Sequence, residues 1–226
     1  MNVLVVGASR GSGAAAVRAL AADGHRVTAF ARSASTADLG SDLGSEGAAG
    51  EVVRVDGDVL DADALAKAMV GQDAVVVTLG ISDNPVKVRL ARRAATPLDV
   101  RSAGTAGVVV AMRAAGVRRL VVQTTYGLGE GRRRLPWSLR LVFALLLAPQ
   151  IRDSERQEEI VQRAADLDWT LIRPVSLTDD QTAAPAHVTT DDTIAGLKVS
   201  RSQVARVAAA TLADPATIHR TLSVSS

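Results

Sequence analysis

Three glycines and two arginines near the amino end carry the first chemical signal. Gly7, Gly11 and Gly13 lie in V-V-G-A-S-R-G-S-G-A-A-A, with Ser9, Arg10 and Ser12 between them. Gly7 permits a sharp exit from a strand, Gly11 a close backbone approach to a phosphate, and Gly13 tight packing of a helix on a sheet. The free N–H groups and positive dipole end of the following helix suit a pyrophosphate. The expected ligand is a dinucleotide. Arg32 stands at the end of the second strand, where an NAD-selective site carries a carboxylate for the ribose 2′-hydroxyl. A guanidinium there, with Arg10 in the turn, grips a 2′-phosphate instead. The pair predicts NADP(H); the alternative is two solvated loop arginines.

A second group follows the apolar run Leu120–Gln123, which delivers Thr124, Thr125 and Tyr126 to one edge. A hydroxyl beside a nicotinamide can donate to a carbonyl or flavin oxygen as hydride arrives. Neighbouring residues alternate faces, so one threonine points into the sheet and the other into the site. Thr125 is the stronger catalytic candidate, Tyr126 the second, and Thr124 joins the cofactor-binding set. Leu79 and Gly80 follow the buried run Ala74–Thr78. Ligands of parallel sheets bind at the carboxyl ends of strands, so this turn is expected at the ribose and nicotinamide half. Gly80 fits either a close backbone approach or a plain strand-end turn. Pro174 ends a sixth strand, and the loop after it is expected to pass over the nicotinamide.

The elements that position these residues read as alternating strands and helices. Val3–Val6 is a strand, the alanine-rich stretch after Gly13 a helix, and Val27–Ala31 the second strand, together one βαβ unit. Ser33–Gly50 is rich in small residues and reads mostly as a mobile connection. Val52–Val55 is the third strand, and Asp61–Val70 a helix with acidic residues in its first turn. A helix is expected from about Leu98 to Ala115, closed by Gly116. Ile151–Ala165 is amphipathic, Trp169–Arg173 is the sixth strand, and Thr178–Asp192 reads as irregular and polar. Leu197–Val199 is a short strand. Ser200 and Gln203 form a capping box for a helix to about Leu212, and Leu222–Val224 is a terminal strand.

Composition narrows the field. The 226 residues are 47% hydrophobic but only 2% aromatic, so the core must be Ala, Val and Leu. There is no cysteine, which excludes disulfides and a thiol nucleophile. A net charge of +2 does not imply nucleic acid. His25, His187 and His219 lack ligand spacing, so no metal is expected. The chain enters a strand at once, without a signal peptide, and a cytoplasmic location is expected. The basic run Asp83–Ala95 reads as a solvated face or, alternatively, as an attractor of anionic substrate. Leu135–Ala148 is strongly apolar, yet too short for a transmembrane segment and interrupted by Arg140. It reads as a pocket wall or lid with Trp137 and Phe143 as contacts; a membrane-surface segment or a homodimer face are the alternatives. Asp153, Glu155 and His187 read as surface residues; the alternative for each is a proton donor in the pocket.

The turn G-A-S-R-G-S-G resembles that of short-chain dehydrogenases/reductases. The runs A-G-V-R-R-L-V, D-S-E-R-Q-E-E-I-V, L-D-W-T-L-I-R-P and S-R-S-Q-V-A-R-V are similar to the NAD(P)H-binding, NmrA-like group of atypical members, which includes the flavin reductase/biliverdin reductase B type. The resemblance implies an α/β fold: a Rossmann-type doubly wound parallel sheet with a small C-terminal substrate cap. It implies one NAD(P)-binding domain over residues 1–226, with substrate-side segments at about 127–150 and 176–196. It also implies that Asp58 and Val59 sit at the adenine, although Asp58 can instead cap the next helix. Two departures stand out. The Tyr-x-x-x-Lys relay is absent, since Tyr126 is the sole tyrosine and Glu130 occupies the lysine spacing. Ser154 follows Asp153 where many relatives carry lysine, so a cation able to neutralise a developing anion is missing.

These readings converge on NADPH-dependent hydride transfer to a conjugated, largely apolar small molecule such as a flavin, quinone or enone. Relatives of this type rely on positioning, with a small hydroxyl residue in the turn after strand five that Thr125 matches. The alternatives are a non-catalytic NADP(H)-binding sensor of NmrA type and a redox-neutral NADP-bound isomerase or cyclase.

Overall fold

The computed structural model describes residues 1–40, 50–80, 97–128 and 148–226. The basic run around Lys87, most of the glycine-rich loop with Glu130, and the apolar segment with Trp137 and Phe143 lie outside them. Among the described residues the chain runs β1 (Asn2–Val6), α1 (Gly11–Ala22), β2 (Arg26–Ala31), β3 (Val52–Asp56), α2 (Ala62–Met69) and β4 (Ala74–Val77). It continues with α3 (Val100–Ala115), β5 (Arg119–Gln123), α4 (Ala148–Arg163), β6 (Asp168–Pro174), β7 (Ser176–Thr178), β8 (His187–Thr189), β9 (Lys198–Ser200), α5 (Arg201–Ala213) and β10 (Arg220–Ser225).

The eight-stranded sheet has the order β3-β2-β1-β4-β5-β6-β10-β8. All its pairings are parallel except β10 with β8. The strand order reverses between β1 and β4, where a doubly wound sheet opens a crevice at its carboxyl edge. Alternation along each strand explains the layering. Val3, Val5, Ala74, Val76 and Val121 face α1 and α5, where they meet Val17, Leu20, Val204 and Leu212. Leu4, Val6, Val75, Val77 and Val122 face the opposite way, toward Leu65, Met69, Val108, Met112 and Val161 of α2, α3 and α4. Both faces of the central strands are thereby buried, which is why those strands read as unbroken apolar runs.

Helix ends agree with local signals in most places. Asp61 caps α2 by accepting from the backbone of Asp63 and Ala64. Gly116 closes α3 in the left-handed region at φ 73°. Ser200 and Gln203 form the expected capping box at the start of α5.

Four expectations need correction. The helix expected from about Leu98 begins at Val100, and the side chain of Asp99 caps nothing. The cap arrives from α4: Asp153 accepts from the N–H groups of Arg101 and Ser102 and from the Ser102 hydroxyl. Asp153 is therefore a buried residue and not a surface one. The stretch Thr178–Asp192 is not wholly irregular, because β8 adds antiparallel to β10. That strand has three residues and a half-exposed Val188, so it is held by backbone ladder bonds and leaves no hydrophobic pattern. Finally, the start of the Ser33–Gly50 connection is tied down. Ala34 and Leu39 are fully buried, and Ser35 bonds to Asp56 through its N–H at 2.8 Å and its hydroxyl at 2.6 Å.

Candidate functional site

A cleft of about 670 Å³ opens along the carboxyl edge of the sheet, across the β1/β4 switch point. Its size lies within the ~300–1,000 Å³ usual for small-molecule sites. Gly7, Ser9, Arg10, Gly11 and Ser12 form one wall, with Arg32, Asp58 and Val59 at one end. Leu79, Gly80, Thr124, Thr125, Tyr126 and Pro174 line it as well. Of the predicted catalytic and cofactor-binding residues, all of them described, only Gly13 does not line the cleft; it packs beneath the turn.

The turn is built by backbone proximity. Gly7 sits at φ 89°, a conformation that other residues rarely adopt, and its N–H donates to the Phe30 carbonyl. A Cβ on Gly13 would lie 2.1 Å from the Gly7 carbonyl oxygen and 2.8 Å from Thr78 Oγ1. Helix α1 therefore rests directly on the turn. Arg10 occupies its N-cap in an extended conformation and makes no side-chain cap bond. The leading N–H groups of α1 consequently face the cleft without a side-chain acceptor, the arrangement an anion completes. Gln123 at the end of β5 donates to the Ser12 hydroxyl at 3.0 Å and ties the turn to the strand that delivers the threonines. These features fit a pyrophosphate-bearing dinucleotide.

At the far end, Arg10 and Arg32 are both exposed. Asp58 is not the helix cap; Asp61 takes that role, while Asp58 Oδ1 accepts from the Leu60 N–H at 3.0 Å.

The two threonines divide as alternation requires. Thr124 is buried, and its hydroxyl donates to Glu158 Oε1 at 2.7 Å. Thr125 is half-buried in the cleft wall, and its hydroxyl bonds to no other described residue. Tyr126 is buried, and its hydroxyl donates to the Asp192 carbonyl oxygen at 2.9 Å. Tyr126 lines the cleft with its hydroxyl proton already on an acceptor, whereas the hydroxyl of Thr125 is open among the described residues. Beneath these residues runs a charged network that the sequence did not reveal. Arg173 grips Glu158 through Nε at 2.9 Å and Nη2 at 2.6 Å, and reaches Asp192 at 3.5 Å. Ser223 donates to Asp192 at 2.6 Å. Burial opposes the charge of Arg173, but Glu158 and Asp192 outweigh it and hold its pKa above the ordinary value. The network fixes β5, β6, α4 and the 189–194 turn as one floor.

Two arginines enter the cleft without a sequence signal. Arg201, at the start of α5, lies with its Nε 3.5 Å from where a Cβ on Gly11 would be, and its head pairs with the exposed Asp179. Arg101, in the first turn of α3, donates from Nη1 to the Ser154 hydroxyl at 2.6 Å. A cation thus stands at Ser154 after all, delivered by the neighbouring helix. Its place at the amino end of α3 brings it to the sheet's carboxyl edge, but no local pattern marks it as a cleft residue. Of the remaining titratable candidates, His187 is exposed on β8 and does not line the cleft. Among the described residues, no cluster of three His, Asp or Glu side chains could hold a metal, and no helix is long and apolar enough to cross a membrane.

With the turn, the reversed strand order and the cleft in place, comparison with known proteins gives the class. A family model described as NAD(P)H-binding matches residues 7–215. The chain belongs to this NAD(P)H-binding family, in accord with its resemblance to atypical short-chain dehydrogenases/reductases of the NmrA-like group. Among curated proteins none matches the sequence. Solved structures share the fold at low identity. A wide-type short-chain dehydrogenase/reductase from Veillonella parvula, in complex with NADP, has a TM-score of 0.77 at 16% identity, covering 100% of this chain and 94% of that one. The oxidoreductase ylbE from Lactococcus lactis has a TM-score of 0.76 at 18% identity, covering 100% and 90%. ChuY, an anaerobillin reductase from Escherichia coli O157:H7, has a TM-score of 0.75 at 22% identity, covering 99% and 96%.

Proposed function

We propose that the protein is an NADPH-dependent reductase of conjugated, largely apolar acceptors such as quinones, flavins or enones. The observation that carries this reading is Thr125: a hydroxyl in the cleft wall, uncommitted among the described residues, beside a tyrosine and a threonine whose hydroxyls are both committed. The bound cofactor, when reduced, supplies the hydride. Gly7, Ser9, Gly11 and Ser12 hold its pyrophosphate at the open end of α1. Arg10 and Arg32 take a 2′-phosphate by charge-assisted bonds, which favours NADPH over NADH. Asp58 and Val59 border the adenine. Leu79, Gly80 and Pro174 border the nicotinamide half, with Thr124 holding the floor through Glu158. Thr125 donates to the acceptor oxygen as negative charge develops there. No side chain of α4 supplies the Tyr–Lys proton relay needed for alcohol oxidation. A conjugated acceptor does without it, because positioning over the hydride donor accounts for most of its rate and solvent can supply the proton. Occurrence of the fold in reductases such as ChuY supports the reading by analogy.

The test follows reduced-nicotinamide absorbance with the purified protein, NADPH and a panel of quinone, flavin and enone acceptors. Acceptor-dependent oxidation, faster with NADPH than NADH, is expected. Tight NADPH binding with no oxidation by any acceptor would transfer the assignment to a sensor or a redox-neutral enzyme.

A further inference from the structure

Arg101 is held at two places and left open at two others. Its backbone N–H donates to Asp153 Oδ2 at 3.1 Å, and its Nη1 donates to the Ser154 hydroxyl at 2.6 Å. Its Nε is buried and has no hydrogen-bond partner among the described residues. Its Nη2 makes no hydrogen bond among the described residues and is the atom nearest to a Cβ built on Gly80, at 3.9 Å. The guanidinium lines the cleft on the Gly80 side, apart from Arg10 in the glycine turn and Arg32 at the end of β2.

The charge is poorly compensated. Asp153 is the nearest acidic influence, but its two oxygens already accept from the backbone of Arg101 and Ser102 and from the Ser102 hydroxyl. Among the described residues no carboxylate forms an ion pair with Arg101. Burial lowers its pKa, and the charge of Asp153 opposes that effect. A guanidinium stays protonated even so, and an unpaired buried charge is costly. The bond to Ser154 fixes the plane of the fork, so less side-chain freedom remains to be lost when an anion docks.

We infer that Arg101 is a receptor for a carboxylate on the acceptor, so that the site selects conjugated acceptors carrying an acid group. The identity of the ligand as an acceptor rests on the reductase reading; the anion site does not. The fork offers Nη2 to a carboxylate oxygen, as in charge-assisted recognition of planar anions. Ser154 acts as a positioning residue that aims the fork.

The probe is 2-naphthoate against 2-naphthamide, the same ring system with and without charge, titrated calorimetrically into the protein saturated with NADP+. Naphthoate is expected to bind at least about tenfold more tightly, the scale of one charge-assisted bond. Arg101→Gln should erase the preference and leave NADP+ affinity within about twofold, since the glycine turn, Arg10 and Arg32 are unaltered. Arg101→Met serves if the Gln variant fails to fold. Equal binding of the two probes by the unaltered protein overturns the inference. So does a preference that survives Arg101→Gln or Arg101→Met, or a variant whose loss falls on NADP+ instead of naphthoate. A naphthoate preference without any acceptor-dependent oxidation refutes the reductase reading alone. Oxidation with neutral acceptors and no naphthoate preference refutes the anion receptor alone.

Discussion

Gly13→Ala adds one methyl group where the structure has none to spare. The new Cβ would lie 2.1 Å from the Gly7 carbonyl oxygen, 2.8 Å from the Gly7 carbonyl carbon and 2.8 Å from Thr78 Oγ1. Ordinary contact requires roughly 3.4 Å or more, and two of the three atoms are backbone, which cannot rotate aside. Helix α1 must therefore move off the turn by about 1 Å. Overpacking of this kind costs about 1–3 kcal/mol, and the upper end applies because the obstacle is main chain. Alanine's better helix propensity returns at most about 1 kcal/mol. The net loss is about 2 kcal/mol, or roughly 4–8 °C in Tm for a chain of this size. The same shift spoils the cradle, so NADPH affinity should fall at least about tenfold, which is about 1.4 kcal/mol. Gly107→Ala in α3 is the control. Its nearest neighbour is the Leu65 Cδ1 at 3.2 Å, the end of a side chain that can give way. That variant should be neutral or slightly stabilised. Thermal denaturation and a fluorescence titration with NADPH read both effects. An unchanged Tm and unchanged affinity for Gly13→Ala would refute the close-approach argument.

Arg32→Asp should weaken NADPH binding by about 10–100-fold, the scale of lost charge-assisted bonds plus a new repulsion, and leave NADH nearly unaffected; parallel titrations check it. Thr125→Ala should lower the rate of acceptor reduction by about 10–100-fold while NADPH affinity holds, since only a bond to the reacting oxygen is removed. Tyr126→Phe should instead cost about 1 kcal/mol of stability by freeing the Asp192 carbonyl, with little change in the single-turnover rate. Asp166, hydrogen-bonded to Arg113, has its pKa lowered from 3.8 to about 2. A depressed carboxylate contributes stability above its unfolded pKa and loses it as pH falls through the folded one. Urea midpoints of the native protein and Asp166→Asn should therefore differ at pH 5 and converge as pH approaches 2.

What the sequence revealed and what it hid follow from separation along the chain. The glycine turn, the strand ends and the capping box of α5 are made by residues within a few positions of one another, so their spacing is a direct record of geometry. The difference between Thr124, buried, and Thr125, half-buried, is legible locally because alternation is a property of one strand. Asp153 and Arg101 lie about fifty residues apart, and only the packing of α3 on α4 brings them together. Neither the borrowed cap nor the cation at Ser154 leaves a local pattern. The same holds for Thr124, Glu158, Arg173 and Asp192, which meet from four separate elements. The Tyr126 hydroxyl donates to a backbone carbonyl, and such acceptors are invisible in a sequence. Strands β7 and β8 have three residues each, too few for any period to register.

The most direct test of the central claim is isotopic. NADPH carrying deuterium at the reactive C4 position is incubated with the protein and a conjugated enone, and the reduced product is analysed by mass spectrometry. Deuterium bound to carbon in the product, dependent on the protein and diminished in Thr125→Ala, is the predicted result. Recovery of the labelled NADPH unchanged, with every acceptor in the panel left unreduced, would contradict the assignment of this cleft to hydride transfer.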